Sequence, residues 1–116
     1  MNADIQALQA SLRTFAAERD WEQFHSPKNL ASALSVEAAE LLEHFQWLTE
    51  EQSRSISTTK REAIAEEIAD VLLYLLQLAD KLDIDPMEAA HRKILINATK
   101  YPVEHAKGTS KKYSEL

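Results

Sequence analysis

The chain of 116 residues is about the length of one domain and carries a formal net charge of −6, from 13 basic and 19 acidic side chains. This balance argues against non-specific binding to nucleic acid, which requires clustered cations. The absence of cysteine excludes a disulfide framework, a thiolate nucleophile and a cysteine-ligated metal site. One glycine and three prolines leave few turn residues for a β-rich fold. We therefore expect one all-α domain over residues 1–116.

The sequence also carries no signal for a membrane or for export. No apolar stretch approaches the length of a membrane span, and the first residues do not have the pattern of a signal peptide. We therefore expect a cytoplasmic protein with no membrane partner. The charge is uneven, since residues 1–90 hold 7 basic and 17 acidic side chains and residues 91–116 hold 6 and 2. An acidic body with a basic tail suggests a site where a cation and a polyanion meet.

Apolar periodicity and capping signals predict the first two helices. The first runs from about Asp4 into the low twenties, because its apolar residues recur at helical spacing. Ser26-Pro27 ends it and begins the second helix, since serine is a preferred N-cap and proline fits the first helical turn. The second helix carries apolar residues as far as Leu48, and Thr49–Gln52 has the form of a capping box that opens a short helical turn.

Two more helices follow in the same way. The third is predicted to begin at another capping box, Thr59–Glu62, and to continue to about Leu82. Asp85-Pro86 begins a fourth helix that reaches about Lys100. The segment from about residue 101 is polar, contains the single Gly108, and is expected to be partly irregular. Because the connections between helices are short, we expect an antiparallel four-helix bundle.

The second and third helices form a weak internal repeat offset by 30 residues. Each carries two acidic residues at i, i+3 beside its apolar face: Glu37 and Glu40 on the second, Glu67 and Asp70 on the third. The acidic ridge is displaced from the apolar face in the same rotational sense on both helices. Antiparallel packing would therefore bring the four carboxylates together on one side.

A converged group of four carboxylates needs protons or cations. A like-charged pair about 4 Å apart costs on the order of 4 kcal/mol at an effective dielectric constant of about 20. Oxygen ligands without cysteine favour a hard ion, Mg²⁺ with Mn²⁺ as a possible substitute, over zinc. Since Mg²⁺ commonly bridges to substrate phosphates, the pattern predicts a metal site that handles phosphate. The alternative is that each acidic pair is only a solvated helix face.

Two further groups of residues are candidates for substrate contacts. Lys93, Asn97 and Lys100 lie on one narrow arc of the fourth helix, where they form either a phosphate-binding face or a solvated basic end. Trp21, Phe24 and Trp47 concentrate aromatic surface, which is either core and interface or a stacking platform for a nucleobase. In the second case, three polar residues are candidates for reading the base edge: Gln23, His25 and Asn29.

The third helix is apolar around nearly its whole circumference from Val71 to Leu78, interrupted only by Tyr74 and Gln77. These two residues share the arc of Asp70. A helix that is apolar on all sides is buried on several of them. Because one bundle of 116 residues can hardly bury such a helix completely, we expect a homo-oligomer.

Seven motifs, taken together, have a familiar pattern: Arg19-Asp-Trp-Glu-Gln-Phe-His25, Glu37-x-x-Glu40, Phe45-Gln-Trp47, Glu66-Glu67-x-x-Asp70-Val-Leu, Lys93-x-x-x-Asn97, Lys100-Tyr-Pro102 and Lys112-Tyr-Ser-Glu-Leu116. The chain that carries them resembles the MazG-like nucleoside triphosphate pyrophosphohydrolases, and most of all their small dCTP pyrophosphatase branch. The likeness covers nearly the whole chain from Phe15 onward. At Leu12 the chain departs from it, since a close relative would have a polar pocket residue there.

The resemblance implies an all-α fold in which helices of paired subunits form the catalytic bundle, as a dimer or as a tetramer made of two dimers. It implies Mg²⁺-dependent hydrolysis between the α and β phosphates of a deoxynucleoside triphosphate such as dCTP or dATP. The products would be a nucleoside monophosphate and pyrophosphate, and the role would be house-cleaning of the nucleotide pool. Metal-assisted attack by water requires a proton acceptor, either one of the four carboxylates or Glu66.

The resemblance also implies roles for individual positions. The metal ligands would be Glu37, Glu40, Glu67 and Asp70. The pocket for the base and sugar would contain Trp21, Glu22, Gln23, Phe24, His25, Trp47 and Tyr74. The phosphate contacts would be Lys93, Asn97, Lys100 and Tyr101.

Two other classes of function remain open on the residues alone. A di-iron carboxylate bundle uses Glu-x-x-His pairs, and the chain has Glu22-x-x-His25 and Glu88-x-x-His91. Neither pair lies in the middle of a predicted helix. A non-catalytic helical interaction module would use the aromatic and apolar surface as a groove for a partner.

Overall fold

The computed structural model describes residues 2–116, which contain helices and turns and no strand. The all-α prediction is therefore confirmed. In chain order the helices are α1 (Ala3–Glu18), α2 (Pro27–Glu43), α3 (Glu50–Ser53), α4 (Thr58–Lys81), α5 (Pro86–Lys100) and α6 (Val103–Ala106), with short 3-10 turns at Glu22–Phe24 and Tyr113–Glu115. None of these helices is long and apolar enough to cross a bilayer.

The end of α1 differs from the prediction. The helix stops at Glu18, because Asp20 takes a left-handed backbone conformation (φ 54°) and the amide of Trp21 donates back to the carbonyl of Ala16 at 2.9 Å. Aspartate tolerates this conformation better than most residues with a side chain. The prediction that α1 extends into the low twenties is therefore wrong, since an Asp in place of Gly hides the helix end in the sequence.

Two of the predicted caps are confirmed around α2 and α3. The Ser26 hydroxyl accepts from the amide of Asn29 at 3.2 Å, and Pro27 is the first residue of α2. The Thr49–Gln52 capping box is complete, with both reciprocal hydrogen bonds present at 3.0 and 3.1 Å. However, α2 ends at Glu43 and not near Leu48, because the chain turns over the next residues.

The start of α4 also differs from the prediction, and the start of α5 agrees with it. Ser57 is the N-cap of α4, and its hydroxyl accepts from the amide of Lys60 at 3.3 Å, so the predicted box at Thr59–Glu62 is wrong. Thr59 already lies inside the first turn. The side chain of Asp85 caps α5 as predicted, accepting from two backbone amides at 3.1 and 3.2 Å.

The contacts divide the chain into two compact units, residues 2–84 and residues 85–116. In the first unit α4 packs most extensively against α2 and also against α1. The buried apolar side chains come from all three helices: Ala16, Leu30, Ile64, Leu76 and Ala79. The antiparallel four-helix bundle as a whole stays a prediction.

Two side-chain contacts fix the register of α1 on α4. The amide of the buried Gln9 donates to the carbonyl of Leu76 at 3.0 Å, and the guanidinium of Arg13 pairs with Asp80 at 2.7 Å. Each partner advances by four residues between these contacts, so α1 and α4 run in the same direction. This is the relation expected for the first and third long helices of an up-down-up arrangement.

In the second unit, the tail from residue 101 packs on the end of α5. The ammonium group of Lys100 lies 4.8 Å from the centre of the Tyr113 ring, and the rings of Tyr101 and Tyr113 meet edge-on at 6.2 Å. The tail is therefore ordered locally by aromatic contacts. Three apolar residues of α5 are exposed: Ile94, Leu95 and Ile96.

We expect Leu30→Ala to destabilise the protein by about 3 kcal/mol, because this side chain is only 1% exposed and its loss leaves a cavity in the α2–α4 core. Val36→Ala on the same helix is the control, since Val36 is 56% exposed and should cost about 0.5 kcal/mol or less. Urea denaturation at one fixed protein concentration measures both. Equal losses at the two positions would contradict this description of the core.

Candidate functional site

Three of the four predicted acidic residues lie close together across the α2–α4 contact. Glu37 from α2 and Glu67 and Asp70 from α4 each offer a carboxylate oxygen, and these oxygens all lie within 4.8 Å of one another. Glu37 and Glu67 are half-buried and Asp70 is exposed. We call these three residues the acidic cluster. The fourth residue, Glu40, is half-buried one turn from Glu37 on α2 and interacts with it.

The acidic cluster is unfavourable when all of its carboxylates are ionised and no proton or cation is bound. Proton sharing with Glu40, burial, and the negative charges of Glu40 and Asp70 raise the pKa of Glu37 from an ordinary 4.5 to about 7. The Oε2 atoms of Glu37 and Glu67 are buried and accept no hydrogen bond from residues 2–116. Buried acceptors without a donor are costly. Convergent oxygen ligands with unsatisfied acceptors fit a hard divalent cation such as Mg²⁺ or Mn²⁺.

A mostly apolar groove of about 400 Å³ begins at the acidic cluster and runs between α1 and α4. Asp70 belongs to both the cluster and the groove. The groove is lined by Leu8, Ser11, Leu12, Phe15, Trp21, His25, Asp70, Leu73, Tyr74 and Gln77. Such a groove, largely apolar with a few polar groups, is typical of a small-molecule site.

The segment Trp21–His25 forms one wall of the groove and is held by several polar contacts. The carboxylate of Glu22 pairs with Lys81 of α4 at 2.7 Å, and this ammonium group lowers the pKa of Glu22. The Asn29 amide donates to the carbonyl of Phe24 at 3.0 Å. The Trp21 ring meets Phe15 edge-on at 5.7 Å and His25 at 6.4 Å.

The structure places three of the predicted pocket residues in the groove beside Asp70, namely Trp21, His25 and Tyr74. The side chain of Glu22 instead pairs with Lys81 of α4, and the amides of Gln23 and Asn29 donate to backbone carbonyls in or next to the segment. Two aromatic residues lie outside the lining, with Phe24 58% exposed and Trp47 86% exposed in the turn after α2.

The four predicted phosphate contacts belong to the second unit and are exposed: Lys93, Asn97, Lys100 and Tyr101. Sequence reasoning did not assign Leu8, Ser11, Phe15 or Gln77 to a pocket, and it placed Leu12 at a pocket position only through the family resemblance. The i, i+3 and i, i+4 spacing of Leu8, Ser11 and Leu12 puts them on one face of a helix, but it does not say which helix covers that face. Gln77 did have a signal, since it shares the arc of Asp70 and Tyr74 on α4.

We expect the metal-free protein to lose stability as the pH rises from about 4.5 through about 7. The folded protein binds the Glu37 proton more tightly than the unfolded chain, so ionising Glu37 costs folding free energy over this range. Glu37→Gln removes the cost. In buffer with a chelator, its melting temperature should therefore exceed that of the wild type by more at pH 8 than at pH 5.

The control for this experiment is Glu43→Gln, which removes an exposed carboxylate from the same helix. It should leave the pH dependence of the melting temperature like that of the wild type. Mg²⁺ at pH 8 should narrow the gap between the wild type and Glu37→Gln. A gap that is equal at both pH values would show that Glu37 does not carry the raised pKa.

Comparison with known proteins shows which family the chain resembles. A model of the MazG-like family matches residues 32–116. The chain is 46% identical over 115 residues to dCTP pyrophosphatase 1 of Homo sapiens and 44% identical to that of Bos taurus; each match covers 97% of this chain and 66% of the relative. The chain thus spans just under two thirds of the length of these relatives.

A solved structure is also similar to the chain, over nearly the full length of that structure. The crystal structure of a pyrophosphatase from Archaeoglobus fulgidus matches with a TM-score of 0.81 at 43% identity, covering 88% of this chain and 95% of that one. The family model alone covers more than half of the chain. The chain therefore belongs to the MazG-like family.

Proposed function

We propose that the protein is a Mg²⁺-dependent nucleoside triphosphate pyrophosphohydrolase that hydrolyses the bond between the α and β phosphates. The products are a nucleoside monophosphate and pyrophosphate, and the substrate is a deoxynucleoside triphosphate such as dCTP or dATP. The observation that carries this proposal is the junction of the acidic cluster and the apolar groove at Asp70. The acidic cluster suits a cation with phosphates, and the apolar groove suits a base with its sugar. The named relatives act as pyrophosphatases, which supports the same reaction class.

In this proposal Glu37, Glu67 and Asp70 would hold Mg²⁺, or Mn²⁺ as a substitute, with Glu40 as the fourth carboxylate. When bound, such an ion would supply neutralisation of phosphate charge and a more acidic water. One carboxylate of the quartet, or the neighbouring Glu66, accepts the proton of the attacking water.

The remaining roles follow from the groove and from the charge of the second unit. The rings of Trp21 and Tyr74 offer flat surfaces to the base and sugar, while Leu12 and Leu73 exclude water. The cations of α5 complement a polyphosphate, which supports the predicted phosphate contacts of Lys93, Asn97, Lys100 and Tyr101.

We also propose that the protein is a homo-oligomer, a dimer or a tetramer made of two dimers. Support comes from the apolar face that α4 leaves exposed, where Ile68, Leu72 and Leu75 are 54%, 40% and 44% exposed. Exposed apolar surface of this kind marks an interaction site. A house-cleaning role in the cytoplasm, with no nucleic acid or membrane partner, is part of the same proposal.

A di-iron centre is less well supported than a magnesium site. The acidic cluster contains no histidine, whereas di-iron bundles take histidine ligands from Glu-x-x-His pairs. Both such pairs of this chain have their glutamate engaged elsewhere, Glu22 with Lys81 and Glu88 with Arg92. A non-catalytic interaction module predicts no effect of nucleotide and metal together, which separates it experimentally.

We expect Glu40→Gln and Asp70→Asn to lower the rate of pyrophosphate release by at least about 100-fold. Each variant loses a carboxylate that would hold the cation, and without the cation the negative charge that develops on the phosphates is not stabilised. Both variants should keep the cooperative melting of the wild type. Glu62→Gln, an exposed acid of α4 outside the acidic cluster, is the control and should keep full activity. Retained turnover in both site variants would overturn the proposed function.

We further expect a dCTP analogue with a nitrogen bridge between the α and β phosphates to raise the melting temperature only together with Mg²⁺. At a concentration of about 100 times the dissociation constant, a ligand stabilises the folded state by about 2.7 kcal/mol, which is several degrees for a chain of this size. Asp70→Asn should lose the shift. No shift with both ligands present would instead favour the interaction module.

A further inference from the structure

Gln77 lies on the same face of α4 as the acidic cluster, and the proposed reaction has not used it. Asp70, Tyr74 and Gln77 follow one another at i, i+4 and i+7, and all three line the groove. The rise of an α-helix places Gln77 about 10 Å from Asp70 along the axis. This distance is comparable to the length of a nucleoside.

The order of chemical groups along α4 matches the order of groups in a nucleotide. Carboxylates for a cation and its phosphates come first, the ring of Tyr74 follows, and the amide of Gln77 lies beyond it. Gln77 shares the groove lining with the apolar Leu12 of α1 and Leu73 of α4, and it also borders a small cavity lined by charged residues such as Arg13, Asp80 and Lys81. A base that enters an apolar groove leaves its polar edge without water, so that edge needs a partner in the protein.

Gln77 is half-buried, and a hydrogen bond fixes the orientation of its side chain. Its Nε2 donates to the carbonyl of Leu73, one turn earlier on α4, at 3.3 Å. The amide nitrogen is thus engaged with its own helix, and the amide oxygen is the acceptor that Gln77 contributes to the groove. The hydroxyl of Ser11 can donate or accept, and an imidazole such as that of His25 can donate through one ring nitrogen and accept through the other, so neither distinguishes a donor from an acceptor on a base.

We propose that Gln77 is a specificity-determining residue whose amide oxygen accepts a hydrogen bond from the exocyclic amino group of the base. Cytosine and adenine carry such a group, whereas uracil, thymine and hypoxanthine present a carbonyl oxygen at the matching position. A carbonyl would face the Gln77 oxygen as a second acceptor. This inference rests on the proposed function and adds the class of base that the groove selects.

The test compares dCTP with dUTP, which differ at C4 of the base, an amino group against a carbonyl, and at N3, which carries a proton only in uracil. The wild type should have the higher kcat/KM for dCTP. Gln77→Met keeps the length of the side chain and removes the acceptor, so the dCTP-to-dUTP ratio should fall about tenfold, through loss on dCTP. Gln77→Glu keeps an acceptor and should keep the preference. Gln6→Met, at an exposed position of α1 outside the groove lining, is the matched control and should behave like the wild type.

An unchanged ratio in Gln77→Met, or a wild type that prefers dUTP, would overturn the assignment of Gln77. If Gln77→Met fails to melt cooperatively, Gln77→Glu decides, since a ratio near one in that variant also overturns it. Calorimetric binding of both nucleotides with Ca²⁺ separates this inference from the proposed function. If the wild type binds both nucleotides but hydrolyses neither, the proposed function is wrong. The ratio of the dissociation constants for dCTP and dUTP then tests the assignment of Gln77. A wild type that binds neither overturns both.

Discussion

The packing of α2 against α4 holds like charges together, and the candidate site depends on this contact. A like-charged pair at about 4 Å costs on the order of 4 kcal/mol at an effective dielectric constant of about 20, whereas burying one leucine side chain stabilises the fold by about 1.5–3 kcal/mol. Several buried side chains, Leu30 and Leu76 foremost, are therefore needed to offset the repulsion. The raised pKa of Glu37 indicates that a proton on this carboxyl group relieves part of the repulsion.

The groove depends on α4 in a second way, through the polar contacts that fix neighbouring segments on it. Arg13 with Asp80 sets the register of α1, and Glu22 with Lys81 anchors the turn that carries Trp21. Exposed ion pairs of this kind contribute little to stability. Their consequence is geometric, because a slip of α1 by one residue would turn Leu8 and Leu12 away from the groove.

The sequence predicted the acidic cluster better than the groove, for a physical reason. Glu37, Glu67 and Asp70 follow from helix periodicity and one packing rule, both of which are local. The groove requires the register between α1 and α4, which Gln9 and Arg13 set through contacts 67 residues apart in the chain. The end of α1 was not predicted because Asp20 takes the left-handed conformation in which a glycine is more usual, and aspartate is not a clear signal of a helix end.

Under the proposed function, the charge of the acidic cluster implies that a cation would be needed for substrate binding as well as for hydrolysis. A triphosphate that approached the acidic cluster alone would add negative charge to a group of carboxylates in which proton sharing with Glu40, burial and mutual repulsion already raise the pKa of Glu37. The groove offers apolar contact and a few hydrogen bonds, each worth about 1 kcal/mol net, to set against repulsion of several kcal/mol. Under the proposed function, base recognition would therefore be effective only with a divalent cation held at the acidic cluster. In the proposed enzyme, the acidic cluster would bind nucleotides only as metal complexes, and the groove would discriminate among their bases.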